Sequence, residues 1–505
     1  MTQSPFAKDF LASWVVFLVA LPLCMGIAIA SGMPPASGII TGILGGILVG
    51  ALSGSPLQVS GPAAGLAVIV FQLVRDHGFE AIGPILAVAG ALQMVAGKFK
   101  LGRWFRAMSP AVVYGMLSGI GILLIGGQFY VMLDDKPRQT GLDNLIGMPG
   151  AMLHDVIGDH RYAAALGVLT MAVLVGWNVF RPKRLKLIPG ALIAVVTATL
   201  VAAIWKFPVH HVEVPGNLLN AIHLPRATGF SEFRHSYMLI SAIAMAFVAS
   251  AETLLSASAV DRLHTGPRAD YDRELFAQGV GNTLCGFLGG LPMTGVIVRS
   301  STNVQAGAIT RLSAILHGVW LLAFVVALPH VLSMVPTASL AAILVCTGFK
   351  LIEWDNVKAL SRYGRIPIAI YAATVIGIVA ADLLTGVIVG LILSLMKLLY
   401  KISQITVRFE LDREYHEAHL HIEGAATFLN IPELASILDQ IPPGTALHVH
   451  TAELMYIDHA CLDLLTTWSE QQRATGGKLI VEWEHLMARF QRQRVDVSEF
   501  EPYVD

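Results

Sequence analysis

Gly54-Ser55-Pro56-Leu57-Gln58-Val59-Ser60-Gly61-Pro62 and Gly289-Gly290-Leu291-Pro292-Met293-Thr294-Gly295 are the stretches that decide the fold. Each is rich in Gly and Pro, which interrupt regular structure. Each precedes an apolar run too short to cross a bilayer, near 62–74 and 296–306. A full helical crossing takes about 20 residues. Around these runs lie longer apolar blocks, near 10–29, 37–53, 82–97, 109–130, 161–180, 186–205, 237–260, 274–290, 308–330, 337–353, 366–382 and 384–402. Together they make about fourteen segments. Each short run is third in a series of seven. Seven is odd, so the second series enters the membrane with opposite polarity. Gly and Pro are common in membrane helices, so the matched position of the two stretches carries the reading. The pattern is that of an inverted repeat with broken helices, whose half-helix ends face a central site. The repeats fall at about 10–205 and 237–402.

Composition agrees. Of 505 residues, 55% are hydrophobic and 14% charged, where soluble domains run near a quarter charged. The formal net charge of -1 points to no acidic or basic partner, nucleic acid included. Cys24, Cys285, Cys346 and Cys461 are scattered, with neither disulfide nor zinc spacing. The polar start, Met1 to Phe10, runs into a long apolar block that reads as a first span, not a cleaved signal.

Loop charge sets an orientation. Lys98, Lys100, Arg103 and Arg106 form one basic loop, and Arg181, Lys183, Arg184 and Lys186 another. Arg262 to Arg273 and Lys350 to Arg365 supply two more. With the N-terminus inside, all four face the cytoplasm, as the positive-inside rule requires. The long loops at 131–160 and 206–236 then lie outside. Helical spans argue against an outer-membrane barrel, so an inner (plasma) membrane is expected.

The membrane part is read as 1–402. From 403 the pattern changes. Val407 to Leu411 alternates as a strand, as do Leu420 with Ile422 and Leu447 with Val449. Pro432 to Gln440 reads as a helix with Pro in its first turn. Asp458 is the expected N-cap of a helix running to about Ala474. Gly476-Gly477 ends it, and Lys478 to Trp483 reads as a last strand. Strands alternating with helices over 403–505 indicate a small cytoplasmic α/β domain.

Glu252 is the only formally charged side chain between Tyr237 and Val260. A carboxylate at that depth costs roughly 2.5–3.5 kcal/mol on insertion scales, so it is expected to face a cavity and serve coupling. Ser256 follows one turn later on the same face. Arg299 falls in the first turn of a half-helix starting near Gly295, after Val296, Ile297 and Val298. Free N–H groups there attract an anion. A cation in that turn is unfavourable unless an anion, or Glu252, stands beside it. Ala63 and Ala64 carry no polar side chain, so their contribution is backbone N–H groups at the opposing half-helix. His210-His211 reads as solvated loop. His419, His421, His448 and His450 read as a polar sheet face, at a spacing that also permits a metal. No catalytic residue, metal or cofactor is expected, because no Walker loop, nucleophile elbow or metalloprotease motif is present.

These residues resemble the SulP family of anion transporters, whose animal members include anion exchangers and the motor protein prestin. The resemblance covers nearly the whole chain. It includes Leu21-Pro22 with Met25, Ala30-Ser31-Gly32-Met33-Pro34-Pro35 and Val59-Ser60-Gly61-Pro62. Its most specific run is Asp272-Arg273-Glu274-Leu275-Phe276-Ala277-Gln278-Gly279-Val280-Gly281-Asn282, continued through Gly289 and Pro292 to Arg299-Ser300 and Gly307-Ala308-Ile309-Thr310. The tail is similar to a STAS domain. The resemblance implies a core domain, from the first four spans of each repeat, moving as an elevator against a gate domain in a homodimer within the lipid. It implies an anion held by Ala63, Ala64, Gly295, Val296, Ile297, Val298 and Arg299, with Glu252 and Ser256 on the eighth span.

The chain also departs from the family. Leu23 and Ala63 replace residues common in relatives. Glu252 stands where the sodium-bicarbonate branch has Asp, and Ile297 where it has Thr. Losing that hydroxyl removes an oxygen of the kind sodium prefers, whereas a buried Glu is suited to carry a proton. His459 follows Asp458 where bacterial regulators carry a phosphorylatable Ser. The expected function is secondary transport of a small oxyanion, bicarbonate or sulfate before dicarboxylates, coupled to H+ or Na+ or by exchange. An anion channel or voltage-responsive protein on the same scaffold is the alternative, with a nucleobase permease behind it.

Overall fold

The structure is a computed structural model and describes residues 4–105, 109–157, 160–182, 185, 188–213, 236–352, 354–412, 416–473 and 475–481. The chain divides into two compact units, 1–391 and 392–505.

The first unit is helical. Its first series is α1 Pro5–Ala30, α2 Pro35–Leu44 (carried on to Leu52 through a wider π turn), β1 Ser60–Pro62, α3 Ala67–His77, α4 Ile82–Lys98, α5 Pro110–Met132, α6 Arg161–Phe180 and α7 Gly190–Trp205. The second is α8 Ser236–Asp261, α9 Tyr271–Leu288, β2 Met293–Gly295, α10 Ile297–Gln305, α11 Leu312–Ala327, α12 Thr337–Leu351, α13 Arg365–Ala380 and α14 Leu383–Ile402. A helix thus occupies every expected span, and α14 runs on into the second unit.

The packing is reciprocal, as an inverted repeat requires. The fourth helix of each series packs on the second of the other: α4 on α9, and α11 on α2. Likewise α1 packs on α11 and α8 on α4. The fifth helices, α5 and α12, pack on each other. Each of these contacts made by a helix of one half is thus mirrored by the equivalent contact from the other half.

Three details differ from the sequence reading. The stretch at 131–160, expected as loop, holds a helix, Gly141–Ile157. Asp143 and Asn144 make it too polar to register as a span. The two half-helices start later than expected, at Ala67 and Ile297. Extended backbone wins before them because the two leads pair as β1 and β2, exchanging bonds that a helix would have made locally. The expected loop at 206–236 lies mostly outside the described residues, as do Arg106, Lys183, Arg184, Lys186, Ala474, Glu482 and Trp483.

Asp9 ties the start of α1 to the segment that joins α10 to α11. Its carboxylate accepts from the N–H of Ile309 at 2.7 Å, the N–H of Thr310 at 3.1 Å and the Thr310 hydroxyl at 2.5 Å. It is 1% exposed. Bonds to a charged group contribute about 1.5–3 kcal/mol. Asp9→Ala is therefore expected to lower stability by about 2 kcal/mol, measured as the denaturation midpoint of the purified protein.

The second unit is a sheet flanked by helices. Its elements are β3 Ile405–Asp412, β4 Glu417–Ala426, α15 Ile431–Leu438, β5 Ala446–His450, β6 Leu454–Ile457, α16 His459–Arg473 and β7 Lys478–Val481. The order is β3-β4-β5-β7, with β6 also pairing β4. β3 is antiparallel to β4, and β5, β6 and β7 pair in parallel. Leu420, Ile422, Leu447 and Val449 meet Leu434, Leu438, Leu465 and Trp468 in its core. Asp458 caps α16, accepting from the N–H of Cys461 at 3.0 Å. β6 was not evident in the sequence, because only Leu454 and Ile457 of its four residues are buried. Burial and the adjacent Asp458 push the Cys461 thiol up to about 12, so it stays protonated and unreactive.

Candidate functional site

Pairing of the two leads builds the centre of the first unit. In β1 and β2, Ser60 lies opposite Gly295, Gly61 opposite Thr294 and Pro62 opposite Met293, antiparallel. The pairing is extended at both ends. The N–H of Ala63 donates to the Pro292 carbonyl at 3.2 Å, and that of Val296 to the Val59 carbonyl at 2.9 Å. Side chains lock it further. Ser300 Oγ accepts from the N–H of Val59 at 2.9 Å, and Asn303 donates to the Leu57 carbonyl at 3.0 Å. Thr253 Oγ1 on α8 accepts from the N–H of Gly295 at 3.2 Å.

These bonds sort the expected site residues. The N–H groups of Ala63, Gly295 and Val296 are engaged in the ribbon. Those of Ile297, Val298 and Arg299, in the first turn of α10, have no intrahelical acceptor. Ala64 and Gly65 lie in the turn between the ribbon and α3, which Leu66 caps, so the two half-helix starts flank one ribbon. Ile297 and Val298 are 37% and 38% exposed, unlike the buried ribbon before them.

Arg299 is completely buried. Its guanidinium lies against Gly61 of β1, in space that a Cβ at Gly61 would occupy. The Cys24 thiol of α1 lies beside it. Yet no hydrogen bond of ordinary geometry satisfies Nε, Nη1 or Nη2. No ion pair involves Arg299 among the described residues. The alternative reading, a brace between Arg299 and Glu252, is therefore not formed among the described residues.

Glu252 reaches the same lead four residues further on. Its Oε2 would lie 2.9 Å from a Cβ at Gly65, so the carboxylate rests directly against that glycine and a side chain there would push it aside. Oε2 has no hydrogen-bond partner. Ser256, one turn on, is buried. The first repeat thus contributes glycines at the two places where the second repeat contributes its charges.

A row of polar side chains on α9 went unread as machinery in the sequence. Glu274, Gln278 and Asn282 recur every four residues, one above another on a helix face. Glu274 is fully buried and accepts from Ser53 Oγ at 2.6 Å and the N–H of Ser55 at 3.1 Å. Gln278 donates to Ser60 Oγ at 2.6 Å. Asn282 accepts from the N–H of Met293 at 2.7 Å and donates to Gln93 at 2.8 Å. One helix face therefore holds both leads in register. The spacing of four in an apolar setting was the signal that would have found it.

Two cavities flank the half-helices. One of 170 Å³ runs along α10, lined by Val19, Asn178, Arg181, Val298, Thr302 and Lys350 among others. The other, of 50 Å³, adjoins α3 at Ala67 and Phe71 and includes Gln128 and Asn144. Arg181 and Lys350 make the first mouth basic. A charge at a mouth acts on encounter and is screened by salt. Lys350→Glu is expected to lower the apparent on-rate of anion uptake about threefold to tenfold at low ionic strength. Initial-rate measurements across a salt series check this, and the deficit should shrink as salt rises.

The sequence and the fold both match known proteins. Residues 6–374 match the sulfate permease family. A putative sulfate transporter of Bacillus subtilis, YvdB, is 30% identical over 79% of this chain and 75% of its own length. The bicarbonate transporter BicA of Picosynechococcus sp. is 25% identical, over 79% and 71%. The transmembrane domain of a cyanobacterial BicA superposes with a TM-score of 0.65 at 24% identity, covering 77% of this chain and 98% of that one. The murine Solute Carrier 26 family member A9 anion transporter, in its inward-facing state, superposes at 0.81 with 15% identity, covering 98% and 88%. The sheet-bearing second unit fits the STAS domain. The chain belongs to the sulfate permease family: it is a multi-pass membrane anion transporter with a C-terminal STAS domain, and not an enzyme.

Proposed function

We propose that the chain is a secondary active transporter of small oxyanions, bicarbonate or sulfate, with dicarboxylates as the wider class. The observation that carries the proposal is the buried, unsatisfied Arg299 guanidinium behind the first turn of α10. A buried cation without a counter-charge is strongly unfavourable. A small dianion or bicarbonate at the two half-helix starts compensates it and takes up the N–H groups of Ile297, Val298 and Arg299. Relatives named as sulfate and bicarbonate transporters support this substrate class.

Glu252 and Ser256 are the proposed coupling residues. Glu252 abuts Gly65 as Arg299 abuts Gly61, without pairing to Arg299, so its protonation does not compete with an internal salt bridge. Ile297 offers no oxygen for sodium, which favours the proton as coupling ion. Movement is by an elevator: α1–α4 with α8–α11 carry the site past α5–α7 and α12–α14, in a homodimer. The cavity bearing Arg181 and Lys350 faces the cytoplasm, together with the N-terminus and the STAS domain, at the inner membrane.

The test is uptake of labelled bicarbonate, sulfate and fumarate into proteoliposomes, with and without proton and sodium gradients and internal counter-anion. Saturable uptake of one anion under one driving force supports the proposal. Non-saturating flux that follows only the membrane potential would move the assignment to a channel.

A further inference from the structure

We propose that His419 and His450, on the outer face of the second unit's sheet, form a chelating pair for one late first-row divalent ion: zinc, copper or nickel. The two strands are in parallel register, with His419 opposite His448 and His421 opposite His450. Alternation sends Leu420, Ile422, Leu447 and Val449 into the core, so all four imidazoles emerge on the other face. There the rings stack. Centroids of His419 and His448 are 5.0 Å apart, those of His419 and His450 5.3 Å, and those of His421 and His450 4.2 Å.

One contact sets this face apart from an ordinary polar one. Nδ1 of His419 and Nε2 of His450 are 3.1 Å apart. Two imidazole nitrogens bound to one ion at about 2.0–2.1 Å stand about 2.9 Å apart at a right-angled bite and about 3.3 Å at a tetrahedral one. The observed separation lies between the two. One ring donates its N–H to the other here; for both facing nitrogens to bind one ion, the donating ring carries its proton on its other nitrogen instead. No group of three donors is arranged to hold a metal among the described residues. The ion is therefore held by two histidines and solvent, and a third ligand, His421 or His448, requires rotation of its ring.

Ligand type selects the metal. Imidazole suits zinc, copper and nickel, while calcium and magnesium require oxygen. Neighbouring charges are mixed. On β3, Arg408, Glu410 and Asp412 lie opposite His421, His419 and Glu417. Arg408 pairs with Glu423 at 3.5 Å. Lys478 on β7 lies opposite Ala446. No block of cations opposes the ion.

The test uses tag-free, full-length protein in detergent, titrated calorimetrically with zinc, nickel, copper and calcium salts. One zinc, copper or nickel ion per chain is expected, and no calcium. The pair His419→Gln/His450→Gln should weaken binding about 100-fold, while single changes at His421 or His448 weaken it less. Zinc should raise the melting temperature of the STAS transition in wild type only. An unchanged metal-free melting temperature shows that the double variant is folded. Absence of saturable binding in wild type overturns the proposal, as does full-affinity binding by the folded double variant.

Discussion

Arg299→Met is expected to weaken anion binding about tenfold to 150-fold without destabilising the anion-free protein. The first half follows from the bond type. A charge-assisted hydrogen bond contributes about 1.5–3 kcal/mol, and each 1.4 kcal/mol is a factor of about ten. The second half follows from burial. The guanidinium sits against Gly61 with no hydrogen bond or carboxylate to satisfy it. Replacing an uncompensated buried charge by an apolar side chain of similar length relieves its desolvation and keeps the volume filled. Calorimetric Kd and the melting temperature, each with and without sulfate or bicarbonate, separate the effects. If affinity is unaltered and stability falls, Arg299 braces the fold instead. Arg299→Lys keeps the charge but loses the planar fork, so an intermediate Kd is expected. Recovery to wild-type affinity in that variant would reduce the role of Arg299 to charge alone.

The sequence revealed elements more readily than contacts. The spans were legible because about 20 apolar residues signal a crossing wherever they pack. The broken helices were legible because Gly-Pro stretches stood at equivalent places in each half. The ribbon between them was not. β1 and β2 are three residues each, too short for alternation to register, and their partners lie more than two hundred residues away. Pairing with a distant lead moved the half-helix starts from Pro62 to Ala67 and from Gly295 to Ile297, and with them the available N–H groups. Arg299 and Glu252 stood out as charges in apolar runs. Their seats on Gly61 and Gly65 did not, since a glycine's neighbour is visible only in three dimensions. Glu274 passed unread as machinery because its satisfying partners, Ser53 and the N–H of Ser55, belong to the other repeat.

Glu252→Gln is expected to uncouple the transporter. In proteoliposomes, wild type should accumulate anion about tenfold per coupled proton for each imposed pH unit, since one unit corresponds to about 1.4 kcal/mol. The variant should reach an accumulation ratio near one. Glutamine preserves the length and shape of the side chain, so the seat on Gly65 is kept and the elution profile on size exclusion should be unchanged. What is lost is the ability to alternate between charged and neutral forms. Inside a membrane, a carriage bearing an anion and Arg299 differs by one unit of charge according to whether Glu252 is ionised, and the energy of crossing an apolar gate depends steeply on that difference. Under the proposed mechanism, a protonatable group next to the site would link loading to movement, whereas a permanently neutral amide would leave the loaded and empty carriages equally free or equally unable to move. The same reasoning separates the coupling ions. If sodium, not the proton, drives wild-type uptake, Glu252→Gln should abolish the sodium dependence, because the amide oxygen is a poorer ligand than a carboxylate. If wild type only exchanges anions, both gradients are without effect in it, and the variant should instead change the counter-anion dependence. Retention of the wild-type gradient response by the folded variant would remove Glu252 from the coupling step, leaving its carboxylate beside Gly65 as a structural group.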